Sequence, residues 1–222
     1  MSSGEMGSLQ RLYPEVDFAG GPAASVERLA RNQGLAFDGL ANCVGGVKLT
    51  TARGFATILL GAERRIFLVG IYESGIEWAT GSTTNLDGAL AAVAAWREGA
   101  NIGRFTSDHP FMIPGELANA HERGNVAEAQ WENLLGSGYP SSCLPLLAKL
   151  HNYEALRGLF PEISYGEIRF KVHPAQHGRG VIFVQEKGAE YRLREVGAES
   201  KEYRVGSLGE VVNRIRLYMG LG

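Results

Sequence analysis

The sequence predicts an α/β protein of the α+β kind: two antiparallel β-meander units, each flanked by helices, joined by an all-helical segment. Three observations predict it. A strand, a Gly-Ser turn and a helix occur twice: Tyr72 to Gly81 leads through Ser82 into an apolar-periodic run from Leu86 to Gly99, and Glu199 to Gly206 leads through Ser207 into a run from Leu208 to Gly220. Within these helices Leu86, Leu90, Val93 and Trp96 recur at the spacing of Leu208, Val212, Ile215 and Tyr218, which is the period of one helix face. Short β-rich runs separated by glycine-containing turns precede each helix, as an antiparallel meander requires. Duplication and independent use of a common supersecondary unit both account for the repeat, and the architecture is the same either way.

The elements follow in order. A flexible tail is expected over residues 1–10, where small and polar residues dominate. An N-terminal α/β half spans 11–100. It opens with an amphipathic helix from Ala24 to Gln33, capped by Ser25 and stopped by Gly34. Strands are predicted at Val44–Thr51, Phe55–Leu60, Arg65–Tyr72 and Ile76–Thr80, with Glu63-Arg64 at a hairpin tip. In the third of these, Ile66, Leu68, Gly70 and Tyr72 alternate with Phe67, Val69 and Ile71. A strand apolar on both faces belongs in the middle of a sheet, with helices on one side and a second layer, the other half of the chain or a partner, on the other.

A helical connector is expected over 101–151: a loop from Phe105 to Phe111, a helical stretch opened by Pro114 and split at Gly124, and a helix from Leu144 to His151. A C-terminal α/β half covers 152–222. There Tyr153–Phe160 reads as a helix ended by Pro161, and strands are predicted at Glu167–Val172, Gly180–Glu186, Glu190–Glu195 and Glu202–Val205 before the last helix. One compact domain is the alternative to separate halves.

Composition narrows the function classes. With a net charge of −2 the chain lacks the whole-domain basic footprint of a nucleic-acid binder. The longest apolar runs fall well short of the roughly 20 residues of a membrane span, and the N-terminus does not have the form of a signal peptide. Cys43 and Cys143 stand a hundred residues apart outside any metal-ligand spacing, and two reduced thiols in a cytoplasmic protein are the expectation.

Candidate chemistry is sparse. His173 and His177 flank Pro174 in a hairpin loop, so no metal site is expected there, and no cofactor motif is present: neither a dinucleotide fingerprint nor a phosphate loop occurs. Asp108-His109 is a candidate acid–base pair if base and orienter come within hydrogen-bond reach. With His151, Arg157 and Arg169 it makes the candidate ligand-binding set, expected in a pocket between the halves. Ser141-Ser142-Cys143 reads as a helix cap, and Cys143 as a core residue. Gly178-Arg179-Gly180 reads as a turn. Mixed Arg, Lys and Glu in the last strands read as a solvated face. Trp78, Trp96 and Trp131 read as core.

Several stretches carry a resemblance. Ala155 to Phe170 (ALRGLFPEISYGEIRF), Trp96-Arg97-Glu98-Gly99, Ala127-Glu128-Ala129-Gln130-Trp131 and Tyr13-Pro14-Glu15-Val16 together resemble domain of unknown function 6193, a bacterial family whose members are labelled natural product biosynthesis proteins. The resemblance runs from about Tyr13 to the last helix. It departs at Lys171, where the family pattern has a small polar residue. It implies a genomic neighbourhood and supplies no catalytic residues. On the residues themselves, Leu159 and Phe160 should plug the core, Ser164 should turn the chain, and Arg157 should pair with a charge. The leading expectation is an accessory or protein-interaction protein rather than an enzyme. A small-molecule binder or enzyme and an immunity-type protein binding a toxin are the alternatives.

Overall fold

Two hairpins of the same kind shape the two sheets. Ser74 (φ 53°) with Gly75 (φ 84°), and Tyr165 (φ 50°) with Gly166 (φ 78°), each connect two strands through two residues of positive φ, the turn whose twist matches that of antiparallel strands. A computed structural model of the chain describes residues 9–17, 20–37, 39–138, 142–177 and 180–221. It divides into two units, residues 1–122 and 123–222, so the expected helical connector is shared between them. The expected tail over Met1 to Ser8, Ser141 of the expected cap, and Gly178-Arg179 of the expected turn lie outside the described residues.

The first unit contains helix α1 (Pro22–Asn32), strands β1 (Leu40–Cys43), β2 (Gly46–Thr50), β3 (Gly54–Leu60), β4 (Phe67–Glu73) and β5 (Ile76–Thr83), helices α2 (Leu86–Arg97) and α3 (Ile102–Asp108), strand β6 (Met112–Pro114) and the start of α4 (Ala118–Arg123). The strands form one antiparallel sheet in the order β1 to β6. Helices α1 to α3 contribute to a core with Val47, Leu49, Ile58, Phe67, Val69 and Ile71. Strand β4 is central, as its two apolar faces require.

The second unit contains helices α5 (Val126–Gly136) and α6 (Leu144–His151), a 3-10 turn at Glu154–Leu156, strands β7 (Phe160–Ser164), β8 (Glu167–Lys171), β9 (Val181–Lys187), β10 (Glu190–Val196) and β11 (Lys201–Val205), and helix α7 (Leu208–Met219). Its antiparallel sheet runs in order from β7 to β11. Its core joins Trp131, Leu146, Leu150, Ile168, Phe170, Ile182 and Ile215. The chain is therefore an α+β protein with two antiparallel sheet units. Trp78, Trp96 and Trp131 are buried, and so is Cys143.

Five local expectations are corrected. Residues 105–108 are not loop but the end of α3, which Asn101 Oδ1 starts by accepting from the Arg104 N–H at 2.9 Å, so only 109–111 form a turn, into β6, while Pro114 ends β6 instead of opening a helix. Tyr153–Phe160 is a 3-10 turn leading into β7, and Pro161 lies within β7. That strand is an edge, where a missing N–H is tolerated; Leu159 and Phe160 are buried as expected. Ser25 lies inside α1, and its hydroxyl accepts from the Asp17 N–H at 2.8 Å. Gly81-Ser82 is strand, not turn, and Asn85 rather than Ser82 caps α2. A Cβ on Gly81 would stand 2.3 Å from the Phe111 carbonyl oxygen, so the approach of β6 demands a glycine there.

The two units share a terminal order. Strand β5 ends at Thr83, Asn85 caps, and α2 starts at Leu86; β11 ends at Val205, Ser207 caps, and α7 starts at Leu208. Both helices have 12 residues.

Candidate functional site

The five residues expected to converge lie in different units, and each is occupied within its own. Asp108 pairs with Arg104 one turn back at 3.4 Å. His109 packs its ring against Phe105 and Phe111, at centroid distances of 5.2 and 6.2 Å. Burial pulls its pKa below the ordinary value, against the opposing charge of Asp108, so the ring is neutral at pH 7 and serves as an aromatic. In the second unit His151 rests on Trp131 at 5.1 Å, and its carbonyl accepts from Arg157 Nε at 3.1 Å. Arg157 is thus held by a helix-end carbonyl and not by a carboxylate. Arg169 on β8 pairs with Glu162 directly across on β7.

The residues behind the resemblance act as fasteners. The Tyr13 hydroxyl stands 2.9 Å from the carbonyls of Gly61 and Ile66 and accepts from the Ile66 N–H at 3.1 Å. Arg65 grips Glu15 and the Leu12 carbonyl beside it, so Tyr13 to Val16 is locked to the β3–β4 hairpin tip. Trp131 Nε1 donates to the Leu159 carbonyl at 3.0 Å, and Gln130 Nε2 to the Pro161 carbonyl at 2.9 Å, which ties the Gln-Trp element to the Leu-Phe-Pro element.

Two buried charge networks deserve the chemical question. Glu73 accepts from Arg53 Nε at 2.6 Å and from Trp96 Nε1 at 3.1 Å, with His121 Nε2 at 3.6 Å. Arg53 also donates to the carbonyls of Trp96 and Ala100, so this network closes the C-terminal end of α2. Lys171, 1% exposed, has its ammonium 2.6 Å from Glu162 and donates to the Pro174 carbonyl at 2.6 Å. Burial and then the Arg169 guanidinium push its pKa down to about 8, while the carboxylate of Glu162 favours the charged form. With both contacts made inside the fold, it is a structural lysine.

Among the described residues no group of three or more His, Cys, Asp and Glu could hold a metal, and no helix is long and apolar enough to cross a membrane. Neither cysteine is in a disulfide. A core cavity lined by Val26, Phe37, Leu90 and other apolar side chains measures about 10 Å³, room for at most one water.

What remains open is surface. The sheet face opposite the helices in the first unit carries Lys48, Phe55, Thr57, Leu59, Leu68, Tyr72, Thr80 and Ile113, by register. Leu68 is 44% exposed and Ile113 64%. Phe55 and Tyr72 stack at 4.7 Å with 18° between their planes, and Lys48 lies over Phe55 at 4.1 Å. The second surface is a groove of about 550 Å³ between β11 and α7, lined by Tyr203, Val205, Asn213, Arg214 and Leu217 among others. Leu217 is 74% exposed. Alternation in β4 pointed to an apolar second face, though to one under another layer, whereas Leu68 is exposed; the second surface has only a weak sequence signal, a leucine on the polar side of the last helix. No protein-family model, curated protein or solved structure matches the chain.

Proposed function

We propose that this protein works by binding another protein, as a cytoplasmic accessory factor and not as an enzyme. The observation that carries the reading is the open outer face of the six-stranded sheet. Leu59 beside Leu68, the Phe55–Tyr72 stack, and Ile113 place apolar and aromatic side chains on this face of β3, β4 and β6, with Thr57, Gly70 and Thr80 between them. A rigid sheet bearing stacked aromatics gives contact area at low entropic cost, and exposed apolar and aromatic side chains are enriched at interaction sites. The contacts that Glu73, Arg53 and Lys171 make within the fold support the same reading, since a catalytic acid or base must reach a substrate. The motif resemblance supports an accessory role at a bacterial natural product locus.

The test is affinity isolation from the native host with the full chain as bait, beside a Leu68→Lys/Ile113→Lys double variant. Both positions are exposed, so the variant should keep its thermal unfolding midpoint. A partner retained by the wild type and lost by the variant is the expected result. Equal retention by both baits would sink the assignment to this face.

A further inference from the structure

Four arginines share the outer face of the second sheet, and they divide into two that are neutralised and two that are not. Ile168, Val184 and Leu193 turn into the core, so the alternate residues Arg169 on β8, Arg192 and Arg194 on β10, and Arg204 on β11 face outward by register. Arg169 pairs with Glu162 on β7. Arg194 lies 4.0 Å over the Phe183 ring and reaches Glu167 at 2.9 Å. Arg192, by contrast, stands directly opposite Arg204, which puts their Cβ atoms about 5 Å apart. Among the described residues neither has an ion-pair partner. Like charges directly opposite on neighbouring strands destabilise a sheet, and no contact within the fold offsets this pair.

A surface cavity of about 260 Å³ lies at the pair, lined by Lys187, Glu190, Tyr191, Arg192 and Arg204. Lys187 and Glu190 face each other at the end of the β9–β10 hairpin. The lining therefore sets three cations against one carboxylate, an excess of two positive charges. We propose that this cavity binds a dianionic tetrahedral oxyanion, either phosphate or the phosphate group of a monoester. Each guanidinium fork can donate two N–H groups to a phosphate, and two forks side by side engage different oxygens of one tetrahedral anion. Lys187 adds a point charge from the hairpin end. A dianion balances the excess charge and removes the repulsion between the arginines, whereas a monocarboxylate balances only half of it. Glu190 opposes the anion and holds the affinity below what three cations alone would give. Glu202 stands opposite Arg194 and is not part of the lining.

This site is independent of the outer face of the first sheet, and different variants test the two. Inorganic phosphate is titrated into the full chain at pH 8, where phosphate groups carry close to two charges, and at constant ionic strength. Arginine side-chain N–H resonances are the readout, with the thermal unfolding midpoint measured beside them. The expected outcome is saturable binding in which the signals of Arg192 and Arg204 shift most. Arg192→Gln and Arg204→Gln should each weaken it about ten-fold or more, and Arg204→Lys should weaken it as well, because an ammonium lacks the fork. Glu190→Gln should tighten it, and Arg104→Gln, at an exposed position in the first unit, should leave it unchanged. Without phosphate, Arg204→Gln should unfold at the wild-type midpoint or above it, since it removes the repulsion. Phenyl phosphate is the second probe: tighter binding than inorganic phosphate assigns the site to monoesters, and weaker binding assigns it to the free ion. No saturation by either probe up to about 20 mM, equal affinity in the wild type and both glutamine variants, or acetate binding as tightly as phosphate would overturn the proposal.

Discussion

Helix α2 carries Ala92 and Ala94 where α7 carries Arg214 and Arg216, and the two units diverge from that difference. In α2 seven residues are buried, Leu86, Ala89, Leu90, Ala92, Val93, Ala94 and Trp96; in α7 only Val211, Val212 and Ile215 are. Small side chains let α1 and α3 approach α2, and α3 leads on to β6, which fills the edge of β5. In α7 it is Arg214 that enters this space. Arg214 pairs with the buried Glu195 at 2.6 Å and lies 3.6 Å over the Tyr203 ring. Residues 1–122 hold nine Lys and Arg against thirteen Asp and Glu, whereas 123–222 hold thirteen against eleven Glu and no Asp. The lesson is that one terminal order, strand, cap, helix, gives a closed unit or an open one according to what the helix shows to its second side.

The comparison can be broken in the closed unit first. Arg53→Met removes the cation that faces Glu73 and the carbonyls at the end of α2. Stranding a largely buried carboxylate should cost about 3–5 kcal/mol, read as a lowered urea midpoint by tryptophan fluorescence; a loss below about 1 kcal/mol would mean the network is not holding α2. Met112→Ala is next. It empties the place in the core that seats β6 against β5 and should cost about 3 kcal/mol, with faster amide exchange across residues 79–81. Unchanged exchange there would mean that β6 is held by its backbone alone and that the apolar side chain is dispensable.

The smallest effect at neutral pH is expected at Lys171. Its folded pKa of about 8 lies below the ordinary lysine value of 10.5. Between those values the unfolded chain binds more protons than the folded one, so this residue makes stability rise with pH over that window. The rise amounts to no more than about 3 kcal/mol, because Glu162 at 2.6 Å works against it. Lys171→Met keeps the packing, leaves Glu162 its Arg169 partner, and should flatten that rise relative to the wild type. Equal slopes from pH 8 to 10.5 in urea unfolding would show that the lysine keeps an ordinary pKa.

Most of the regular elements were legible in the sequence because they rest on short-range rules. Apolar period set α2 and α7, and two-sided apolar alternation put β4 at the centre of its sheet; the turn expected at Ser164 comes one residue later, at Tyr165-Gly166, because Ser164 is the last residue of β7. The misreadings fall where contacts over distance overrode local preference. Pro114 and Pro161 read as helix punctuation, yet both lie in edge strands, where sheet pairing needs no N–H from them. Phe105 to Phe111 read as an anchored loop, but Phe105 packs on Trp78 at 4.8 Å and the segment becomes α3 and the approach to β6. Asp108-His109 looked like an acid–base pair only because the two are neighbours in sequence.

By itself, then, the sequence determined that there would be two meander units with a helix closing each, since hydrophobic period and turn chemistry are properties of a few adjacent residues. Tertiary structure alone decided what those units leave exposed. The partners of Arg157, Arg169 and Lys171, the strand added beside β5, and the open edge of β11 depend on which segments meet across tens of residues, and no local pattern of residues encodes that meeting.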